Sequence, residues 1–195
     1  MELFFDVETT GLPSRGSSFQ DLVAYENCRI VSIAWVLRTS ENIFSQRYCI
    51  ISQAESDEPL GASFIHGITR EMTSELGKDL KSVLEDFLSD VSRCKIIVCH
   101  NANFDKNVVA SELFRLGLTS DQISPFLNHE THCTMLSNVD LVCAKFKNSY
   151  SSRNKWPKLE ELYRFCFNTD FEGAHNSLAD TEATAKCYYF CQSRL

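Results

Sequence analysis

Hydrophobic and polar positions alternate from the start of the chain. In Phe4-Phe5-Asp6-Val7-Glu8-Thr9-Thr10-Gly11, strand geometry sends Phe5 and Val7 to one face and Phe4, Asp6 and Glu8 to the other. The pattern predicts a strand that breaks into a turn at Gly11. Gly11 to Cys28, rich in Gly, Ser and polar residues, reads as a loop. Arg29 to Arg38 reads as a largely buried strand and Glu41-Asn42 as a turn. Ile43 to Ile51 follows as a third strand, the hairpin partner of the second. Ser52 to Gly61 is loop-like, and Thr69 is placed to cap a short helix or turn.

The period then changes. Leu80, Val83, Leu84, Phe87, Leu88 and Val91 recur at helical spacing and predict a helix over Lys78 to Cys94. Lys95 to Cys99 is a short apolar run, the mark of a fully buried strand. It ends in His100-Asn101-Ala102-Asn103-Phe104-Asp105 and leads into a helix from about Asp105 to Leu116. Open α/β sheets place their chemistry at such strand–turn–helix junctions. Turn and short helix are expected over Gly117 to His132, a strand over Thr131 to Met135, and a helix from there to about Lys145. Leu159 to Phe167 and Ser177 to Gln192 read as the last two helices. Strands lead, helices follow, and no repeat or boundary intervenes. A mixed α/β fold is expected, forming one domain over residues 1–195.

Composition narrows the classes. A chain of 195 residues with 44% hydrophobic content can bury a sizeable core. No apolar run approaches the roughly 20 residues of a spanning helix. The N-terminus opens at once on strand-like sequence, so no leader is expected. Nine scattered cysteines with no Cys-x-x-Cys pair point to reduced thiols and an intracellular, cytoplasmic location. A net charge of −7 argues against tight, sequence-independent coating of a duplex, which needs many cations. It leaves room for a nucleic-acid enzyme that reaches phosphates through divalent metals.

The candidate chemistry is carboxylate-rich. Asp6 and Glu8 project side by side from one strand face, and a cation between them relieves their repulsion. A half-exposed acidic edge strand is the plain alternative. Asp105 stands at a helix start, where it could simply favour the positive helix terminus. Asp180 stands in the first turn of the last helix, where Ser177 and Asp180 also match a capping box. His175 precedes it by five residues, a rotation of roughly 140° were both on one helix. Gly173 and a cap at Asn176 or Ser177 instead put His175 in a loop, free to lie over a site that the helix helps build. An imidazole is suited to taking a proton from water. Gly11 to Gly16 has the glycine spacing of a phosphate loop but lacks its lysine.

Leu141 to Leu159 carries Lys145, Lys147, Arg153, Lys155 and Lys158, no acidic residue, and the aromatics Phe146, Tyr150 and Trp156. Basic residues interleaved with aromatics suit a bound single strand; a solvated loop anchored by Trp156-Pro157 is the plain alternative.

Three segments together resemble a known family. Phe5-Asp6-Val7-Glu8-Thr9-Thr10-Gly11-Leu12, His100-Asn101-Ala102-Asn103-Phe104-Asp105 and His175-Asn176-Ser177-Leu178-Ala179-Asp180 resemble the three motifs of the DnaQ-like (DEDDh) 3′–5′ exonucleases, which have an RNase H-like fold. His66-Gly67-Ile68-Thr69 resembles a turn of the proofreading members. Trp156-Pro157-Lys158-Leu159-Glu160-Glu161-Leu162 and Phe171-Glu172-Gly173-Ala174-His175 resemble a stand-alone bacterial and viral branch. The resemblance covers about residues 1 to 191.

It implies that Asp6, Glu8 and Asp180 hold two Mg²⁺ or Mn²⁺ ions, with Asp105 acting mainly through water. His175 is then the general base. It further implies release of 5′-mononucleotides from the 3′ end of single-stranded DNA or frayed ends. Thr9, Thr10, Leu12, His66 and Phe104 match positions near the terminal nucleotide, and Asn101 braces its turn. Lys155 and Lys158 are expected to hold the strand. Family members often carry Asp-Thr where this chain has Cys133-Thr134. Nothing follows the last helix, which weakens the expectation of a polymerase subunit docked by a C-terminal tail. The same chemistry on RNA, a non-catalytic nucleic-acid-binding module, and zinc at His129, His132 and Cys133 are the competing readings. The last lacks a fourth ligand.

Overall fold

The computed structural model describes residues 1–53, 61–144 and 154–194. Its elements run β1 (Glu2–Thr9), β2 (Ile30–Arg38), β3 (Ile43–Ile50), α1 (Ser63–His66), α2 (Arg70–Glu75), α3 (Leu80–Val91), β4 (Ile96–Cys99) and α4 (Ala102–Arg115). Then come α5 (Ser120–Leu127), β5 (Thr131–Cys133), α6 (Thr134–Ser137), α7 (Val139–Val142), α8 (Leu159–Phe167) and α9 (Ser177–Gln192). The strands form one sheet in the order β3-β2-β1-β4-β5. β1 pairs antiparallel with β2 and parallel with β4, so the sheet is mixed, with the RNase H-like build. β2 is buried along nearly its whole length because helices cover both faces of the sheet, which explains its continuous apolar run.

One face of β1, through Leu3, Phe5 and Val7, packs on α3, α4 and α5. Phe87 is the hub of this core. Its ring centroid lies 4.9 Å from Phe5, 5.6 Å from Trp35 and 5.8 Å from Phe126. Such tilted and edge-to-face aromatic pairs each add about 0.5–1.5 kcal/mol to simple burial. The opposite face carries α9. Phe4 meets Tyr188 and Tyr189 at 5.5 and 5.6 Å, with Val98 and Ala185 beside them. Nearer its start α9 presents small residues. Ser177 Oγ lies 3.0 Å from Ser32 Oγ, and Thr181 Oγ1 donates to the Ala34 carbonyl at 3.4 Å. Small side chains at 177, 181 and 185, four apart on one helix face, let α9 lie close on the sheet. Its other side packs Ala183 and Cys187 against Leu162, Tyr163 and Cys166 of α8.

Several boundaries differ from the sequence expectation. α3 is shorter at both ends; at its start Asp79 caps it by accepting from Ser82 N at 2.9 Å, while Lys78 forms a bridge with Ile51. α4 begins at Ala102, three residues early, after Asn101 takes a left-handed conformation (φ 72°). The helix expected after β5 is broken at Asn138, whose Nδ2 donates to the Thr134 carbonyl at 2.8 Å and competes with the helix ladder. α1 was not anticipated; it ends at Gly67, whose φ of 71° suits glycine. The basic and aromatic stretch at 145–153 lies outside the described residues.

Glu112 of α4 braces the loop behind β1. Its buried carboxylate accepts from Arg29 Nε at 2.7 Å, Arg29 Nη2 at 3.1 Å and Ile30 N at 3.3 Å. Arg29 in turn exchanges hydrogen bonds with Thr10, which accepts through Oγ1 at 3.0 Å and donates through N at 2.9 Å. Glu112→Ala strands the Ile30 N–H, while half-exposed Arg29 can turn to water. The expected loss is about 1–3 kcal/mol, below that of a fully buried pair. Urea denaturation measures it as a lower midpoint at unchanged slope; a midpoint equal to wild type removes this network from the scaffold.

Candidate active site

The site lies where β1 outruns its neighbour. β4 pairs with β1 only through Glu2, Leu3 and Phe4, so beyond Phe4 this edge of β1 is open. A buried strand N–H must find another acceptor. Val7 N donates to Asp105 Oδ1 at 3.3 Å, and this carboxylate enters the gap from the fourth residue of α4. On the other edge a β-bulge falls between Glu8 and Thr9, shifting the register with β2. Thr9 Oγ1 then donates to the Gly11 carbonyl at 2.7 Å. A Cβ on Gly11 would stand 2.7 Å from the Asn27 carbonyl oxygen, so the turn admits no side chain there.

Asp180 arrives from α9 on the face where Asp6 and Glu8 project. One carboxylate oxygen of each lies within 4.8 Å of the others. The capping-box alternative for Asp180 does not hold. Asn176 is the cap, its Oδ1 accepting from Leu178 N at 3.1 Å and Ala179 N at 3.2 Å. Asp180 instead accepts the backbone N–H of His175 at 3.0 Å, which ties the histidine loop to the carboxylate cluster. His175 itself is exposed and takes φ 67°. Non-glycine residues in the left-handed region are strained, and both Asn101 and His175 at this site adopt it.

Crowding shifts the acids strongly. Burial, then Asp105, Asp180 and Glu8, hold Asp6 well above the ordinary carboxylate range. Burial, followed by Asp180 and Asp105, pushes Glu8 up to about 8. Burial raises Asp105 to about 8 against the opposing Val7 N–H. Burial raises Asp180 to about 7, with Glu160 adding to it and the His175 N–H opposing. Among the described residues no lysine or arginine ion pair reaches these four acids. Hard oxygen donors, close together and without a protein counter-charge, fit divalent cations of the Mg²⁺ type. Asp6, Glu8 and Asp180 would hold them directly, and Asp105 sits behind Asp6.

Two cavities flank the acids. One, of about 420 Å³, is bordered by Asp6, Asp180, His175, His100, Trp156 and Lys158. The other, of about 460 Å³ and mostly apolar, is bordered by Glu8, Thr9, Thr10, Leu12, Ile65 and Phe104. Exposed Phe64 also borders this second cavity. Asn101 borders the first.

Two residues expected at the substrate border neither cavity. His66 is buried beside the Thr9 backbone, its Nδ1 accepting from Ile68 N at 3.0 Å, and is not itself among the residues bordering the cavities. Lys155 Nζ is held by both carboxylate oxygens of Glu161 at 2.7 and 2.6 Å. The zinc alternative also fails. His132 Nε2 meets Ser137 Oγ at 2.9 Å and His129 Nδ1 faces the Glu130 carbonyl at 3.2 Å, so the donors do not converge. Sequence reasoning passed over Glu160, Phe64, Ile65 and His100. His100 leads the second motif, yet only tertiary contacts give it a task. Its Nδ1 meets Thr134 Oγ1 at 3.0 Å and its Nε2 the Pro157 carbonyl at 3.0 Å. Burial drives its pKa down to about 4, so the ring is neutral.

A mixed RNase H-like sheet that gathers acids at the end of its first strand defines a nuclease-type site. The sequence matches the exonuclease family (RNase T type) over residues 3–188, and the chain belongs to that family. DNA polymerase III subunit epsilon of Rickettsia conorii is 29% identical over 161 residues, covering 78% of this chain and 64% of that protein. The chain thus spans under two thirds of that relative. The uncharacterized exonuclease CP81 of Escherichia phage 186 is 26% identical over 187 residues, 93% of this chain and 83% of the phage protein. Among solved structures, exonuclease X in complex with 5′-overhanging duplex DNA has a TM-score of 0.59 at 21% identity, covering 99% and 92% of the two chains. E. coli exonuclease I in complex with a dA16 oligonucleotide has a TM-score of 0.68 at 18% identity, covering 98% and 40%. These two likenesses are of fold.

The raised acids make stability depend on pH and metal. Glu8 titrates near 4.5 when unperturbed and near 8 in the metal-free fold. Between these values the native state holds the extra proton, so stability falls as pH rises across the window. Metal-free protein should melt higher at about pH 5.5 than at about pH 8, and Glu8→Gln should flatten that slope. Mg²⁺ or Mn²⁺ should raise the melting temperature most at the alkaline end, where protons no longer compete. Calorimetry reads both; a melting temperature indifferent to pH and to Mn²⁺ would remove cations from this site.

Proposed function

We propose that residues 1–195 form a single DEDDh-type exonuclease domain that removes 5′-mononucleotides from the 3′ end of single-stranded DNA or frayed ends. The observation that carries this reading is the meeting of Asp6, Glu8 and Asp180, from opposite ends of the chain, beside a cavity that His175 also borders. Two divalent ions, Mg²⁺ or Mn²⁺, supply charge neutralisation and in-line phosphoryl chemistry when bound. His175 takes a proton from the attacking water, and Asp180 holds the backbone of its loop in place. The apolar cavity bordered by Thr9, Thr10, Leu12 and Phe104 receives the terminal nucleoside. The first cavity leads the strand away past Lys158. Relatives named as a DNA polymerase subunit, and structural neighbours solved with DNA, favour DNA over RNA and make association with a polymerase a reasonable extension.

Matched 5′-labelled DNA and RNA single strands with Mg²⁺ test the reading. The expected product is a ladder shortening from the 3′ end, faster on DNA and abolished by EDTA. A faster RNA ladder would reassign the substrate, and no cleavage with either metal would sink the enzyme reading. Asp6→Ala and Asp180→Ala should abolish cleavage with the fold retained by circular dichroism. His175→Ala should lower kcat by about 10²–10⁴-fold with little change in binding, as loss of a general base does.

The two lysines should separate. Lys158→Gln should weaken oligonucleotide binding and flatten its salt dependence by about one phosphate contact. Lys155→Gln should lower stability and leave the salt slope as it was. Equal salt slopes for both variants would return Lys158 to plain surface.

A further inference from the structure

Trp156 is held out toward solvent on a backbone that is fixed on both sides. The side chain is 65% exposed, whereas Trp35, the other tryptophan of the chain, is 1% exposed. A single exposed apolar residue is ordinary. What sets Trp156 apart is its bracing and its address. On one side Lys155 N donates to the Ala144 carbonyl at 2.9 Å, and its side chain is locked to Glu161. On the other, Pro157 is buried and its carbonyl accepts from neutral His100 Nε2 at 3.0 Å. Lys158 N donates to Glu161 Oε2 at 2.8 Å. His100 also reaches Thr134, so the segment is tied to the end of β4 and the start of α6. The indole borders the same cavity as Asp6, Asp180 and His175.

With a nucleoside in the apolar cavity on the Glu8 side, a strand that continues across the carboxylates enters the cavity that Trp156 and Lys158 border. A flat indole on this braced backbone has only two side-chain torsions left to order, so less binding energy is lost in immobilising it. Base–aromatic stacking tolerates every sequence, because each base has a π-face.

We infer that Trp156 is the stacking platform for the base on the 5′ side of the scissile phosphate, with Lys158 on the adjoining backbone phosphate. The inference rests on the exonuclease reading and sharpens its substrate class. A base whose 3′-side face lies on Trp156 has given up its stack with the terminal base. The platform therefore selects 3′ ends whose terminal nucleotide is unpaired. His100 is its strut, a positioning residue.

A nucleoside 5′-p-nitrophenyl phosphate offers the terminal nucleoside and a leaving group but no second base. A short oligonucleotide offers both. Trp156→Ala should lower kcat/KM for the oligonucleotide about tenfold to a hundredfold more than for the ester, chiefly through KM, and Trp156→Phe should recover most of that loss. An abasic penultimate nucleotide should impose a similar loss on the wild type and little further loss on Trp156→Ala, the signature of one shared interaction. In Ca²⁺, binding of the oligonucleotide should quench tryptophan emission, since Trp35 is sealed in the core. If the ester and the oligonucleotide suffer equally in Trp156→Ala and no quenching occurs, the platform is overturned while the exonuclease reading stands. If wild type cleaves neither substrate, the exonuclease reading falls. Quenching by the intact but not the abasic strand would still support the platform as a binding site.

Discussion

Like charges crowded into a notch with little water are the constraint around which this molecule is arranged. Burial raises the pKa of all four acids; Asp105, Asp180 and Glu8 add to it at Asp6, Asp180 and Asp105 at Glu8, and Asp180 at Asp105. At an effective dielectric near 20, two unit charges 4 Å apart interact by about 4 kcal/mol. Such a cluster survives in a marginally stable fold because the surrounding scaffold is held by independent contacts and because protons or cations neutralise it. The core around Phe87 and the Arg29–Glu112 network are those contacts, and neither includes a carboxylate of the site.

Each acid is delivered by a different device. Asp6 and Glu8 share a face because a strand alternates. Asp105 reaches them because β1 and β4 part company after Phe4 and leave Val7 N–H to be satisfied. Asp180 comes close because α9 presents Ser177 and Thr181 to β2, so nothing larger than a hydroxyl separates helix from sheet. The bulge after Glu8 and two of the four left-handed non-glycine residues among the described residues, Asn101 and His175, fall at this place. Strain of this kind persists where the surrounding structure over-determines it.

The two cavities give the notch a direction. The one beside Glu8 is apolar and bordered by the turn after β1 and by α1; the one beside Asp6 and Asp180 is bordered by a braced extended segment carrying Trp156 and Lys158. Lys155 and Glu161 pair with each other within that bracing. Among its described residues, the basic and aromatic stretch thus places Lys155 in a strut and Trp156 and Lys158 at a surface.

Much of this was legible in the chain itself. Alternation in β1, the apolar runs of β2 and β4 and the helical spacing of α3 depend on local geometry, which a sequence records directly. α8 and α9 fall where the sequence pattern predicts them, and the local contexts of Asp6, Glu8 and Asp180 mark these residues in the sequence alone. Tertiary structure decided the rest. Whether Lys155 faces solvent or Glu161, and whether His66 opens to a cavity or turns inward, depends on neighbours distant in the chain. So does the task of His100, whose partners Thr134 and Pro157 lie 34 and 57 residues away. Periodicity fixes which face a side chain takes; only packing fixes what stands opposite it.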